Sequence, residues 1–444
     1  MQNSKLSTKV DFSAKLLDKI NTKAASLGVI GVGYVGRPLA EAASDEGYRA
    51  IGFDLDVSKI EALNNQNKNL LSATENFDLL STCDVVCICV PTPIDSNNSP
   101  DLSLLERAAG DISARLRPGQ LVILESSVAP GTTRDYLLPI LKRSNLREGV
   151  DFFLAFSPER IDPGNSEFTL LNTPKVVGGF DEQSVIMAMN FYQNFIQKVI
   201  PVSSLEVAEM SKMLENTFRF VNINLINELS DYASLKGINM WEVIDAAATK
   251  PFAFLPHYPS AGIGGHCIPV DPYYLIHDAN KAGRPLKILG QVADYHEQRA
   301  AKIVDKALEL LTPKSNENAR LPSFDGEATS GQGNGYHKGP VKILLLGIAY
   351  KSGTGDTRES PALKIWKIAE NKGAQVSYHD PHVPKLNGWN SKELTAKILQ
   401  EYDLIIVTTD HPGVPYDLIL QSGKPVLDTK NVFKNASSEL IFRI

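Results

Sequence analysis

The sequence predicts an α/β protein with two Rossmann-like parallel-sheet domains joined by a long central helix. Three observations predict it. Short apolar runs alternate with amphipathic stretches from residue 26 to about residue 180, the pattern of a parallel sheet covered by helices on both faces. A stretch without Pro or Gly runs from Ser203 to Leu235, far longer than a usual helix of about a dozen residues. The alternation then resumes beyond residue 340.

Composition sets the frame. A chain of 444 residues has room for two or three domains of about 150 residues. Hydrophobic residues at 43% and charged residues at 22% suit a soluble globular protein. A formal charge of −6 gives no general pull toward nucleic acid or acidic membranes. No apolar run reaches the roughly 18 residues of a membrane span, and the polar opening MQNSKLSTKVDFSAKLLDKINTK lacks the apolar core of a signal peptide. The four cysteines, Cys83, Cys87, Cys89 and Cys267, suggest neither a disulfide framework nor a metal site. Three lie in or beside one apolar run, CDVVCICV, and only Cys267 stands apart. A cytoplasmic protein is expected.

In chain order, SLGVIGVG reads as a buried strand running into glycines, followed by the helical stretch RPLAEAASDEG and a second strand, YRAIGFDLD. Gly31, Gly33 and Gly36, with Tyr34 and Val35 between the last two, form a dinucleotide fingerprint in its proper setting. The first glycine makes the turn, the second admits the pyrophosphate, and the third lets helix and strand pack. The free N–H groups of the helix start would face the phosphates. Asp54, at the end of the second strand, has the expected spacing for an acid on the ribose hydroxyls. It would repel a 2′-phosphate, so NAD is favoured over NADP. CDVVCICVPTP, LVILESSVAPGTT, FFLAFSPER and PKVVGG supply further strands, with a helix in PDLSLLERAAGDISARL. Thr92, Ser127 and Glu159 fall at strand ends, either as ordinary loop caps or as groups facing the ligand cleft of such sheets.

The long stretch Ser203–Leu235 carries Glu209, Lys212 and Asn216 on one stripe. They read either as a solvated polar face or as functional groups. Asn216 stands among Met213, Leu214, Phe218 and Phe220, which favours the second reading. Such a helix connects domains or forms a dimer seam. GIGGHCIPVDP follows, with three glycines ahead of Cys267 and Asp271 after it. It reads either as a tight turn around a packed cysteine or as a loop presenting a reactive thiol. A polar segment, KSNENARLPSFDGEATSGQGNGYHKGP, precedes a second α/β unit whose strands are VKILLLGIAYK, AQVSYHDP, YDLIIVTTDH and KPVLDTKN. Its turn KSGTGDTRESP sets Lys351 and Arg358 where a nucleotide diphosphate could bind. The expected domains are 1–202, 203–312, a polar loop 313–340, and 341–444.

The ordered motifs GVGYVGRPLA, VPTP, ESSVAPGTT, SPER, EMSKMLENTFR, GIGGHCIPVDP and GIAYKSGTGDTRESP resemble the UDP-glucose/GDP-mannose dehydrogenase family over nearly the whole chain. PERIDPGN, PKVVGG, NTFRFVNIN and GGHCIPVDPYYL are similar to its UDP-N-acetyl-D-glucosamine 6-dehydrogenase branch. The resemblance implies an N-terminal NAD domain, a C-terminal UDP-binding domain and a homodimer through the helical region. It implies a four-electron oxidation of the primary alcohol of a UDP-N-acetylhexosamine to the uronate, using two NAD, for capsule or O-antigen polysaccharide. By the same resemblance Cys267 forms the thiohemiacetal and thioester, and Asp271 and Lys212 serve the first deprotonation through a water. Lys212 and Asn216 stabilise oxyanions, and Glu159 serves hydrolysis. Substrate contacts are implied at Glu159, Arg160, Lys212, Asn216, Gly264 and Lys351. NAD contacts are implied at Arg358 and at Thr92 and Ser127 beside the fingerprint. Ser127 stands where Thr is frequent, Lys430 where Arg is frequent, and the loop before residue 340 is long. Rival readings are a UDP-glucose or GDP-mannose 6-dehydrogenase, a two-electron dehydrogenase resembling the 6-phosphogluconate type, and a catalytically silent NAD-binding scaffold.

Overall fold

A computed structural model describes residues 11–161, 165, 167–311, 339–436 and 438–444. The expected polar loop lies outside the described residues except for its last two positions. The chain divides into two compact units, one ending at Asn216 and including Tyr273–Gly283, the other made of Thr217–Pro272 and Arg284–Ile444.

In the first unit, helix α1 (Phe12–Asn21) begins at Asp11, whose carboxylate accepts the N–H groups of Ser13 and Ala14. Leu16 and Ile20, four apart, are its buried face. Strand β1 (Ser26–Ile30), helix α2 (Gly36–Asp45), strand β2 (Arg49–Phe53), helix α3 (Val57–Asn64) and strand β3 (Leu71–Thr74) follow. Next come β4 (Val85–Ile88), α4 (Ser103–Ser113), β5 (Gln120–Leu124), α5 (Leu138–Leu141), β6 (Phe152–Phe156), β7 (Lys175–Gly179), α6 (Glu182–Gln193) and β8 (Val199–Pro201). The sheet order is β3-β2-β1-β4-β5-β6-β7-β8. Alternate residues serve opposite faces. Leu27, Val29, Val85, Cys87, Leu121 and Ile123 pack with α1, α2 and α6, whereas Ile30, Val86, Ile88, Val122 and Leu124 pack with α4. One departure from a wholly parallel sheet is the β6–β7 pair, which is antiparallel. A parallel neighbour needs a crossover, usually helical, and the described residues between these strands form no helix.

Helix α7 (Leu205–Leu235) is 31 residues long and runs from the first unit into the second. It is followed by α8 (Met240–Ala248), α9 (Asp271–Lys281) and α10 (Lys287–Glu309). The second sheet contains β9 (Lys342–Leu346), then after α11 (Pro361–Asn371), β10 (Gln375–His379). A short ribbon, β11 (Lys385–Leu386) and β12 (Trp389–Asn390), precedes α12 (Ala396–Leu399), β13 (Leu404–Val407), α13 (Tyr416–Gln421), β14 (Val426–Asp428) and β15 (Ile441–Arg443). The order β10-β9-β13-β14-β15 is parallel throughout. Ile303, Val304 and Ala307 of α10 and Ile365 and Trp366 of α11 close one core against Ile343, Leu345, Leu404 and Ile406. Among the described residues no helix is long and apolar enough to cross a membrane.

Candidate active site

The turn after β1 is shaped by what its glycines touch. Gly31 takes φ +89°, and a Cβ there would come within 2.7 Å of the Cys89 carbonyl oxygen. A Cβ on Gly36 would meet the Gly31 carbonyl oxygen at 2.0 Å, so helix α2 can start only with glycine. Gly33 is different: among the described residues nothing lies within 4 Å of its Cβ direction, which leaves the backbone open to a ligand. Val35, the N-cap of α2, makes no side-chain cap bond, and the start of a helix is where backbone amides can face a phosphate. Tyr34 is exposed. Asp54 Oδ2 accepts the Val32 N–H at 3.0 Å and lies 3.5 Å from Lys59 Nζ, while Oδ1 accepts from Leu55 and Asp56. The acid therefore sits against the turn, and the open Gly33 backbone fits a dinucleotide pyrophosphate. Thr92 Oγ1 donates to the Ser127 carbonyl at 2.7 Å, tying two strand ends together. Tyr274, from α9, donates to the Thr92 carbonyl at 3.0 Å.

A second group of polar side chains is buried at the ends of β5, β6 and β7. Lys175 Nζ lies 2.7 Å from Glu125 Oε2, and Tyr192 donates to Glu125 Oε1 at 2.5 Å. Lys175 also stands over the Tyr192 ring, 4.8 Å from its centroid. Glu159 is buried beside them; its Oε1 accepts the Ile161 N–H, and its Oε2 has no hydrogen-bond donor among the described residues. Burial pushes the Glu159 carboxyl up, with Lys175 opposing and Glu125 reinforcing the shift. Burial disfavours the charged form of Lys175 too, but Glu125 and Glu159 together hold its pKa above the ordinary value. Lys212 Nζ donates to the Glu159 carbonyl oxygen at 2.6 Å, which joins helix α7 to the end of β6. Asn216, one turn further along α7, is also buried. Arg160 pairs with Glu215 at 2.6 Å and donates to the Pro174 carbonyl. A small pocket is lined by Glu159, Arg160, Ile161, Thr173, Pro174 and Lys175. Glu125, Lys175 and Tyr192 carry no local sequence signal for this network, their bonds spanning 50 and 67 positions. Glu209 leaves the functional stripe: its carboxylate accepts the N–H groups of Gly131 and Thr133 and the Thr133 hydroxyl.

In the second unit, Cys267 is half-buried, whereas Cys83, Cys87 and Cys89 are buried. The Cys267 carbonyl accepts the Val270 N–H at 3.1 Å and the Asp271 N–H at 2.8 Å, which closes the turn into α9. The glycines upstream exist for close approach. A Cβ on Gly264 would lie 2.6 Å from Tyr350 Cβ and 2.9 Å from Pro361 Cδ. Gly265 takes φ +89°, packs on the Tyr350 ring and donates its N–H to the Arg358 carbonyl at 3.1 Å. The cysteine loop is thus laid on the 350–361 turn. The Arg358 guanidinium grips Asp356 through two nitrogens, at 2.9 and 2.5 Å, and Lys351 is half-buried. Lys430, beyond β14, is half-buried, and desolvation lowers its proton affinity.

The second sheet repeats the acid of the first in a closed form. Asp380 follows β10 as Asp54 follows β2. Its Oδ2 accepts from Ile348, Ala349 and His411 Nε2, and its Oδ1 from His382 and Val383. Both Asp380 and His411 side chains are 0% exposed. Burial raises the Asp380 pKa, but these donors, led by His411, bring it down to about 2.

A glycine turn with an open face, an acid against it, and a second Rossmann-like sheet define a dinucleotide-binding protein with two Rossmann-like folds. Residues 64–196, 206–298 and 344–435 match the NAD binding, central and UDP binding domains of the UDP-glucose/GDP-mannose dehydrogenase family. The chain belongs to that family, and its cofactor is NAD. It is 34% identical over 439 residues to the UDP-N-acetyl-D-mannosamine dehydrogenase of Pyrococcus horikoshii, covering 94% of this chain and 98% of that protein. It is 31% identical over 437 residues to the UDP-N-acetyl-D-glucosamine 6-dehydrogenase of Pseudomonas aeruginosa, covering 95% and 94%. The solved structure of the Pyrococcus horikoshii UDP-D-ManNAc dehydrogenase superposes with a TM-score of 0.82 at 31% identity, covering 94% of this chain and 99% of that one.

Proposed function

We propose that this protein oxidises the primary alcohol of a UDP-N-acetylhexosamine to the uronate in two NAD-dependent steps, as a UDP-N-acetyl-D-glucosamine 6-dehydrogenase or its galacto or manno counterpart. The observation that carries the reading is the cysteine loop, whose half-buried thiol ends a run of glycines laid against the 350–361 turn. The names of the two relatives, one acting on a mannosamine and one on a glucosamine derivative, support an N-acetylhexosamine.

NAD, when bound at Gly31–Gly36 and Asp54, accepts one hydride in each oxidation. The chain's own groups handle protons, charge and the carbon–sulfur bond. In the first step the alcohol loses its hydroxyl proton through a water held by Asp271 and Lys212 and becomes an aldehyde. The Cys267 thiolate then adds to the carbonyl carbon, forming a C–S bond and an oxyanion that Lys212 and Asn216 stabilise. Loss of the second hydride from that carbon leaves a thioester. Glu159 removes a proton from the attacking water, the C–S bond breaks, and the carboxylate leaves with the thiol restored. A base whose proton affinity is raised by burial suits that last step. Arg160, Gly264 and Lys351 are assigned to the substrate, and Thr92, Ser127 and Arg358 to the cofactor. A thiol nucleophile requires a reducing compartment, which agrees with a cytoplasmic enzyme supplying a surface polysaccharide.

The test is NADH formation by purified protein with each UDP-sugar in turn. UDP-N-acetylhexosamines are expected to give a higher kcat/KM than UDP-glucose, with two NADH per sugar, because a site built for an acetamide leaves polar groups unpaired without it. A higher kcat/KM for UDP-glucose removes the proposed sugar. One NADH per sugar removes the four-electron chemistry.

A further inference from the structure

We propose that Arg299 is a positioning residue for Cys267, acting through the main chain at the root of the cysteine loop. From Thr249 to Val270 the chain has neither helix nor strand, so no ladder of backbone hydrogen bonds fixes where the thiol lies. The loop is held instead by side chains that reach into it. Both polar main-chain groups of Ser260 are taken. Its N–H donates to Asn227 Oδ1 of α7 at 2.8 Å, and its carbonyl accepts from Arg299 Nε at 3.1 Å and Nη2 at 3.0 Å. Arg299 is itself fixed on α10: it is 1% exposed, and its Nη1 lies 2.6 Å from Asp231 Oδ1 on α7. Tyr295 donates to the other oxygen of Asp231 at 2.8 Å, and Lys302 lies 3.7 Å from it.

A guanidinium presents a planar fork of donors, which an ammonium cannot reproduce. Here two arms of the fork meet one carbonyl and a third meets the carboxylate. The ion pair is only half-buried, Asp231 being 35% exposed, and such pairs add little to stability, so the consequence of this arrangement is geometric. From the fixed Ser260 the constraint passes along the loop. Ser260 Oγ donates to the Gly262 carbonyl at 3.0 Å, Gly262 packs on Pro361, Gly264 on Tyr350, and Gly265 donates to Arg358. The thiol follows two residues later. The loop is pinned by Arg299 at one end and by the 350–361 turn along its middle.

The proposal rests on the reading of Cys267 as the nucleophile, and its test separates the two. Full-length Arg299→Lys, Arg299→Met and Asp231→Asn proteins are compared with wild type. The measurements are the rate of Cys267 alkylation by iodoacetamide from about pH 6 to about pH 9, kcat and KM for the UDP-sugar, and NADH affinity by fluorescence. Cys267→Ser protein supplies the alkylation background, the other three cysteines being buried. Both Arg299 variants are expected to shift the alkylation profile and to lower kcat about tenfold or more, since small misplacements of a reacting group are costly. KM should stay within about threefold, and NADH affinity should be unchanged. Lysine should not rescue, and Asp231→Asn should change the same quantities in the same direction by less. Wild-type alkylation and kcat in a variant that binds NADH overturn the proposal. Parallel loss of NADH binding, KM and kcat also overturns it, because Arg299 would then hold the fold rather than the loop. If Arg299→Met does not fold, unchanged profiles in Arg299→Lys and Asp231→Asn overturn it equally. Full acid formation by Cys267→Ser would remove the catalytic reading alone, and the alkylation profile would still decide whether Arg299 places the thiol.

Discussion

Glu209 is a residue whose ionisation opposes its surroundings. It is 0% exposed and accepts two N–H groups and a hydroxyl at the 131–133 turn, yet burial dominates and raises its pKa from 4.5 to about 7. In that window the folded chain holds a proton that the unfolded chain has released. Stability therefore falls as pH rises from about 4.5 to about 7 and stays lower above it, by about 3 kcal/mol at most. Urea midpoints of wild type and Glu209→Gln, measured across that window, check this. The advantage of wild type over the variant should shrink with rising pH, and a constant difference would show that Glu209 keeps an ordinary pKa. The group around Lys175 carries a different lesson. Its partners stand 50 and 67 positions from one another along the chain in the Lys175–Glu125 and Tyr192–Glu125 bonds. No local spacing announces such a network, and each member reads by itself as a strand or helix end. The fingerprint glycines and Cys267 were legible because their chemistry is local: a turn, a close approach, an isolated thiol.

At the scale of elements, the sequence resolves what is long or continuously apolar. The strands built from LGVI, VVCI, LVIL, FFLAF and KILLL are buried on both faces, and helix α7 was expected from Ser203 and begins at Leu205. Strands β3 (LSAT) and β15 (IFR) are short and mixed, so their period is too brief to read. The reversed direction of β7 follows from a connection without a crossover, which composition does not display. Helix α7 also leaves a row of large apolar residues exposed: Val207, Met210, Leu214, Phe218, Leu225 and Leu229. Their spacing of three, four or seven residues keeps them on one face. A stripe of this kind on one long helix suits the same stripe of a second copy about a two-fold axis, and we propose a homodimer through it. Sedimentation equilibrium should give twice the 48.6 kDa chain mass, and Leu214→Asp combined with Leu225→Asp should give the monomer. A wild-type monomer at micromolar concentration sinks this assembly.

For the whole molecule, the two sheets share a plan but not an occupancy. Behind β2 the acid borders an open glycine backbone, whereas behind β10 Asp380 spends both oxygens on five donors and is sealed with His411. The Asp380 carboxylate is thereby closed off by its own neighbours. On the proposed four-electron chemistry, both hydrides would pass in turn to NAD at the Gly31–Asp54 site, which would be filled twice for each sugar. On that proposal the half-oxidised sugar would stay on the protein while the cofactor is exchanged, and the Cys267 thiol would be its tether. With NAD supplied below the sugar, wild type should still release only acid, at one molecule for every two NADH, and no free aldehyde. Cys267→Ser under the same conditions should stop at one NADH per sugar and let aldehyde escape, as trapped by a hydrazine reagent. Free aldehyde from wild type would mean that nothing holds the sugar across the exchange. The proposed chemistry would thus carry a tempo: an enzyme with one chair for two visitors must keep its guest in hand between them.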